Sequence, residues 1–173
     1  MRSARAAVVA SLAGAVLALC AAPAFAVGSV TMTSAPTSSI TGWSLASTGA
    51  NSRSGGSMTL SATAPWLVTV SADKSTMSEW NGSAYVSNGK ALGSALTVSS
   101  ARTGGTATVP GVGLSVAAST SAGTLATGTG VAVTGGTDIF SITLSQPTAI
   151  TDAALANGHT YHIVLTYTAQ LAL

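Results

Sequence analysis

Hydrophobic and polar residues alternate with a period of two over several short stretches of this chain. Trp66, Val68 and Val70 fall on one side of such a stretch, and Phe140, Ile142 and Leu144 fall on one side of another. The longest run closes the sequence. Tyr161, Ile163, Leu165, Tyr167, Ala169 and Leu171 share one face, while His162, Thr166 and Thr168 share the other with Val164. Successive side chains of a strand point to opposite sides of a sheet, so this pattern marks strands with one buried face. Strands are predicted at 29–33, 40–46, 57–62, 66–71, 91–99, 106–109, 112–117, 130–133, 138–144 and 160–171. Past residue 26 no stretch carries the helical period.

The breaks between these runs have their own chemistry. Residues 51–56 are polar with two glycines, and Gly104-Gly105 and Gly135-Gly136 read as tight turns. Residues 118–130 form a connection rich in Ser, Thr and Gly. The longest segment without periodicity is 73–90, which holds Asp73, Lys74, Glu79 and Lys90 together with Trp80 and Tyr85. Residues 151–156 suit one helical turn, ended by Asn157-Gly158. Many short strands joined by turns, without a repeat of roughly 20–50 residues, predict an all-β chain. The expected architecture is a single β-sandwich of immunoglobulin-like or Greek-key type. Leu155, Gly158 and Tyr161 have a spacing similar to the tyrosine corner of fibronectin-type and other immunoglobulin-like sandwiches. The alternative is an ordinary turn followed by an inward-facing Tyr161.

The first 26 residues are unlike the rest. Arg2 and Arg5 precede an apolar stretch from Ala6 to Ala22, and Ala24-Phe25-Ala26 is a small-residue cleavage site. That is the three-part pattern of a secretory signal. The apolar run is short for a membrane span and is broken by Pro23. Residues 1–26 are therefore expected to be removed, leaving 27–173 as one all-β surface domain that begins at Val27 and has no transmembrane segment. Cys20 lacks the small preceding residue of a lipid-modified cysteine, since Leu19 stands there.

Removing the signal changes the charge balance. Arg53, Lys74, Lys90 and Arg102 then face Asp73, Glu79, Asp138 and Asp152, so the mature chain is neutral. Its composition gives no support for nucleic-acid binding. The only cysteine leaves as well, and the core must hold without disulfides. Polarity comes instead from 23 serines and 25 threonines after residue 26. A surface so poor in charge resists association weakly, which favours a protein that attaches or assembles.

The sequence carries no recognisable catalytic pattern. His159 and His162 are three apart, which places them on opposite faces of a strand and not in a metal pair. Ser71-Ala72-Asp73-Lys74 matches the S-x-x-K of β-lactamase-type enzymes without their other motifs. The four mature carboxylates form no paired motif. The expectation is a non-enzyme with no catalytic residue, no metal and no cofactor. Trp66 opens an apolar alternation and reads as core, with Tyr161, Leu165 and Tyr167 as structural residues of the closing strand. Trp43 shares a face with Leu45 and reads as core or half-buried. Trp80 and Tyr85, in the long charged loop, are the candidates for ligand contact.

Three stretches resemble WxL-type domains of bacterial surface proteins. They are Trp43-Ser44-Leu45, a literal W-x-L; Trp66-Leu67-Val68-Thr69-Val70 with the later Leu92-Gly93-Ser94-Ala95-Leu96-Thr97-Val98; and Leu165-Thr166-Tyr167-Thr168-Ala169-Gln170-Leu171, where Tyr167 stands in place of a tryptophan. The resemblance implies a β-rich domain held non-covalently at the cell wall. The functional expectation is thus a secreted, non-catalytic cell-surface protein that attaches to a cell-wall polymer or to other surface proteins. Its rivals are a self-associating fibre or coat subunit built by strand complementation, and a secreted hydrolase with no recognisable motif.

Overall fold

The stretch Trp66–Ala72 illustrates how alternation becomes structure. Trp66, Val68, Val70 and Ala72 are buried, while Leu67, Thr69 and Ser71 between them stay partly exposed. Phe140, Ile142 and Leu144 divide from Ile139, Ser141 and Thr143 in the same way. The computed structural model describes residues 28–46, 48–128, 136–152 and 154–172. The signal segment expected at 1–26, the expected start at Val27 and the strand expected at 130–133 lie outside the described residues.

Among the described residues there is no helix, and hence none long and apolar enough to cross a membrane. The elements are β1 (Val30–Ser34), β2 (Ser39–Ile40), β3 (Gly49–Ala62), β4 (Trp66–Ala72), β5 (Ser78–Trp80), β6 (Thr97–Gly105), β7 (Val112–Gly113), β8 (Ser115–Ala117), β9 (Gly123–Gly128), β10 (Gly136–Thr148) and β11 (Thr160–Leu171). One sheet has the order β1-β3-β10-β6-β8 and the other β2-β11-β4-β9-β7, with β5 also paired to β11. Every pairing is antiparallel. The all-β sandwich expected from the alternation is the fold found.

The core lies between the sheets. Met58, Leu60, Val98, Phe140, Ile142 and Leu144 enter it from the first, and Ile40, Val68, Val70, Leu125, Ile163 and Leu165 from the second. Trp66 meets Phe140 edge-on, with ring centroids 6.0 Å apart. The closing strand occupies the very span its alternation predicts, Thr160–Leu171.

Several breaks read from the sequence are strand instead. Residues 51–56 belong to β3, because β10 offers partners along its whole length, from Gly136↔Ala62 to Thr148↔Gly49. The two glycines there make a bulge: the register shifts between Ile142↔Gly56 and Thr143↔Ser54. Gly55 packs so closely that a Cβ on it would sit 2.9 Å from the Ile142 side chain. Gly104 and Gly105 end β6, opposite Ile139 and Asp138, and form no tight turn there. Gly136, expected in a turn with Gly135, opens β10 opposite Ala62. The connection at 118–130 contains β9, which covers the free edge of β4.

The reverse also occurs. Of 40–46 only Ile40 is paired, opposite Ile163, and 106–109 carries no strand. The expected strand 112–117 is split into β7 and β8, which join different sheets. No helical turn forms among the described residues of 151–156. Local propensity was outweighed in each case by whether a neighbouring backbone stood ready to pair.

Tyr167 adds a pH dependence to this core. Its ring is half-buried and its hydroxyl is buried without a partner. Burial pushes the phenol up to about 12 from an ordinary 10.0. A group whose pKa is raised by folding supports the fold fully below its unfolded value and stops doing so as pH climbs through its folded value. The urea midpoint is therefore expected to fall between about pH 10 and 12, with a smaller fall for Tyr167→Phe. Burial raises Tyr85 and Tyr161 in the same sense. A flat alkaline profile would refute the assignment.

Candidate functional site

The short strand β5 lies beside the start of β11, with Trp80 opposite Thr160 and Ser78 opposite His162. Side chains two apart share a face, so Trp80 and His162 become diagonal neighbours on the outer side of the second sheet. Their rings stack at 4.4 Å between centroids and 30° between planes. The chain then reverses at 81–84. Asn81 accepts hydrogen bonds through Oδ1 from the Ser83 and Ala84 N–H groups, and Gly82 takes a φ of 99° that other residues rarely adopt. This reversal brings Tyr85 back opposite Trp80. The two rings meet edge-on at 5.2 Å, and Tyr85 lies 5.4 Å from the His162 ring.

Polar groups complete the cluster. The Tyr85 hydroxyl donates to Asp73 Oδ2 at 2.6 Å, and the Val164 N–H donates to Asp73 Oδ1 at 2.8 Å. Burial, together with the Asp73 carboxylate, pushes the Tyr85 phenol well above its ordinary range. The Lys74 ammonium lies 4.8 Å from the centre of the Tyr85 ring, a cation–π contact. Trp80 and Tyr85 are each half-buried. His162, read from alternation as solvent-facing, does lie on that outer face. It is nonetheless only 5% exposed, because Trp80 covers it.

The structure thus brings together Trp80 and Tyr85, the two residues singled out for ligand contact, and adds His162, Asp73 and Lys74 to them. The other named residues serve elsewhere. Trp66 and Leu165 are core, Tyr167 packs against that core, and Tyr161 lines a cleft between the sheets. Trp43 is half-buried outside any strand, with the Arg53 guanidinium 5.4 Å from its ring centre. No sequence signal tied His162 to Trp80, since the pairing of β5 with β11 spans some eighty intervening positions that carry no marker of it.

Among the described residues the four carboxylate side chains are each engaged, each in a separate place. Asp73 is bound as described. Glu79 accepts from the Lys90 N–H at 2.9 Å and pairs with His159 Nδ1 at 2.7 Å, contacts that hold its carboxyl below the usual range. Asp138 accepts from Arg102 Nε at 2.5 Å and from the Gly111 N–H. Asp152 accepts from the Gly93 and Ala149 N–H groups. Among the described residues no group of three His, Cys, Asp or Glu side chains is placed to hold a metal ion. What the aromatic cluster offers chemically is contact: two half-buried rings, one carboxylate and one ammonium on a single sheet face. Comparison of the chain with protein-family models, curated proteins and solved structures finds no match.

Proposed function

We propose that the mature chain is an exported, non-catalytic cell-surface module that attaches to a cell-wall polymer through the outer face of its second sheet. The observation that carries this reading is the cluster of Trp80, Tyr85 and His162, edged by Asp73 and Lys74. A sugar ring has an apolar face of C–H groups and a rim of hydroxyls. Half-buried aromatic rings bordered by hydrogen-bonding groups complement both. The secretory pattern of residues 1–26 and the resemblance of three stretches to WxL-type domains support the same destination.

Co-sedimentation of purified residues 27–173 with insoluble cell-wall material tests the reading. The wild type is expected to pellet with the wall. Trp80→Ala should lower the retained fraction about tenfold, as loss of an aromatic anchor does, while the circular dichroism spectrum stays strand-rich. Equal retention of Trp80→Ala and wild type would remove the cluster from the binding surface.

One observation favours assembly as a second reading. On the side of β2, β11 is bonded only at Ile163, Val164 and, through its N–H to the Ser38 carbonyl, Leu165, so among the described residues no strand pairs with Thr166–Leu171 there. Such an edge is a template for a strand from another copy. Growth of filaments with concentration, in place of a wall-binding monomer, would favour it.

A further inference from the structure

A cleft of about 250 Å³ opens at the end of the sandwich, between the close of β10 at Thr148 and the start of β11 at Tyr161. Leu45, Leu92, Ile150 and Leu155 form aliphatic walls, and among the described residues Asp152 is the only charged one lining the cleft. Leu92 is buried to 3% exposure, whereas Ile150 is 85% exposed. The aromatic cluster lies on the outer face of the second sheet, so the two features are separate.

Asp152 is held in place. Its Oδ1 accepts the Gly93 N–H at 2.9 Å and its Oδ2 the Ala149 N–H at 2.8 Å. Those two bonds keep its carboxyl below the usual range, so it is anionic at neutral pH. Each oxygen keeps a further lone pair for another donor. The cation bonded to a lining residue is engaged elsewhere: the Lys90 ammonium donates to the Ala154 carbonyl, and its charge acts on Glu79. Burial first, and then the charges of Asp152 and Glu79, raise the Tyr161 phenol above its ordinary range.

Aliphatic walls with one fixed carboxylate, to which no cation is paired among the described residues, complement a ligand that has a hydrocarbon body and a cationic head. Neutral apolar ligands would leave the carboxylate without a counter-charge, and anionic ones would be repelled. A dry cavity of roughly 150 Å³ takes a six-carbon ring, so this cleft has room for a chain of four carbons and its ammonium head.

We propose that the cleft binds the alkylammonium side chain of a lysine-type residue on a partner peptide, its methylenes against Leu45, Leu92 and Leu155 and its ammonium on Asp152. This goes beyond wall attachment through the aromatic cluster and does not depend on it.

The test is a ¹H–¹⁵N NMR titration of residues 27–173 with Nα-acetyl-lysine amide and, in parallel, with Nα-acetyl-norleucine amide, which keeps the methylenes and lacks the amine. The lysine compound is expected to shift the Gly93 and Ala149 amides and to saturate. The norleucine compound should bind about tenfold more weakly, as expected for loss of a charge-assisted hydrogen bond. Asp152→Asn should lose that preference. If the variant does not fold, the comparison of the two ligands on the unaltered protein decides alone. Trp80→Ala should bind the lysine compound as the wild type does, which separates failure here from failure of the wall-binding reading. Equal affinity for both compounds, or no shift at Gly93 and Ala149, would overturn the proposal.

Discussion

Deleting residues 160–173 is expected to leave a chain that does not fold, and Leu165→Ala is expected to cost about 2–5 kcal/mol of stability. The strand β11 is central to its sheet: it pairs with β4 along Leu165–Leu171, with β5 at Thr160–His162 and with β2 at Ile163 and Val164. Ile163 and Leu165 are at most 1% exposed, and Tyr161, Tyr167 and Ala169 pack against the same core. Fully burying a side chain of this size contributes about 1.5–3 kcal/mol, so losing several exceeds the whole margin of a marginally stable domain. Leu165 is enclosed by other core residues, so truncation leaves a cavity as well as lost contacts. Thr168 is exposed on the other face, and Thr168→Ser should stay within about 0.5 kcal/mol of the wild type. Urea denaturation followed by circular dichroism measures both. A truncated chain that remains a folded monomer but no longer attaches or polymerises would make β11 a docking element, and assembly would then become the leading reading.

What could be read from the sequence, and what could not, separates along a physical line. The buried faces of β4, β10 and β11 were legible because period-two burial writes itself into residue type. Where strands are continued by glycine and serine, as in β3 at 51–56 and in β6 at 104–105, the sequence carried only the local preference of those residues for turns. Pairing with β10 overrode it. Trp80 and Tyr85 were legible as contact candidates because two aromatic residues in a charged, aperiodic loop stand out. Their joining by His162 was not, since it depends on the diagonal register of β5 on β11. The Asp152 cleft was hidden for the same reason. Gly93, which helps fix its carboxylate, is distant in sequence, and both it and the nearby Ala149 offer only backbone N–H groups, which no side-chain pattern reports.

At the other end of the core, Phe140→Ala is expected to cost about 3–5 kcal/mol. Phe140 has no exposed surface and sits between Met58 of β3 and Arg102 of β6 in the register of the first sheet. Its ring meets Trp66 across the sandwich at 82° between planes, an arrangement worth about 0.5–1.5 kcal/mol beyond burial alone. The cost depends on whether the surroundings can collapse into the space the ring leaves, and here glycines limit that collapse. A methyl group on Gly111 would lie 2.7 Å from Trp66 and 3.1 Å from Phe140, and one on Gly128 would lie 2.3 Å from the Trp66 indole nitrogen. Two of the positions packed against these rings, Gly111 and Gly128, therefore have no side chain that could lean into the hole, and part of the cavity persists. Phe140→Leu, which restores most of the volume but not the aromatic contact, should recover more than half of the loss. Equilibrium urea unfolding of both variants with unchanged denaturant dependence checks this. A loss under about 1 kcal/mol for Phe140→Ala would mean that Trp66 swings into the vacated space, and that the glycines around it permit the movement they are argued to prevent.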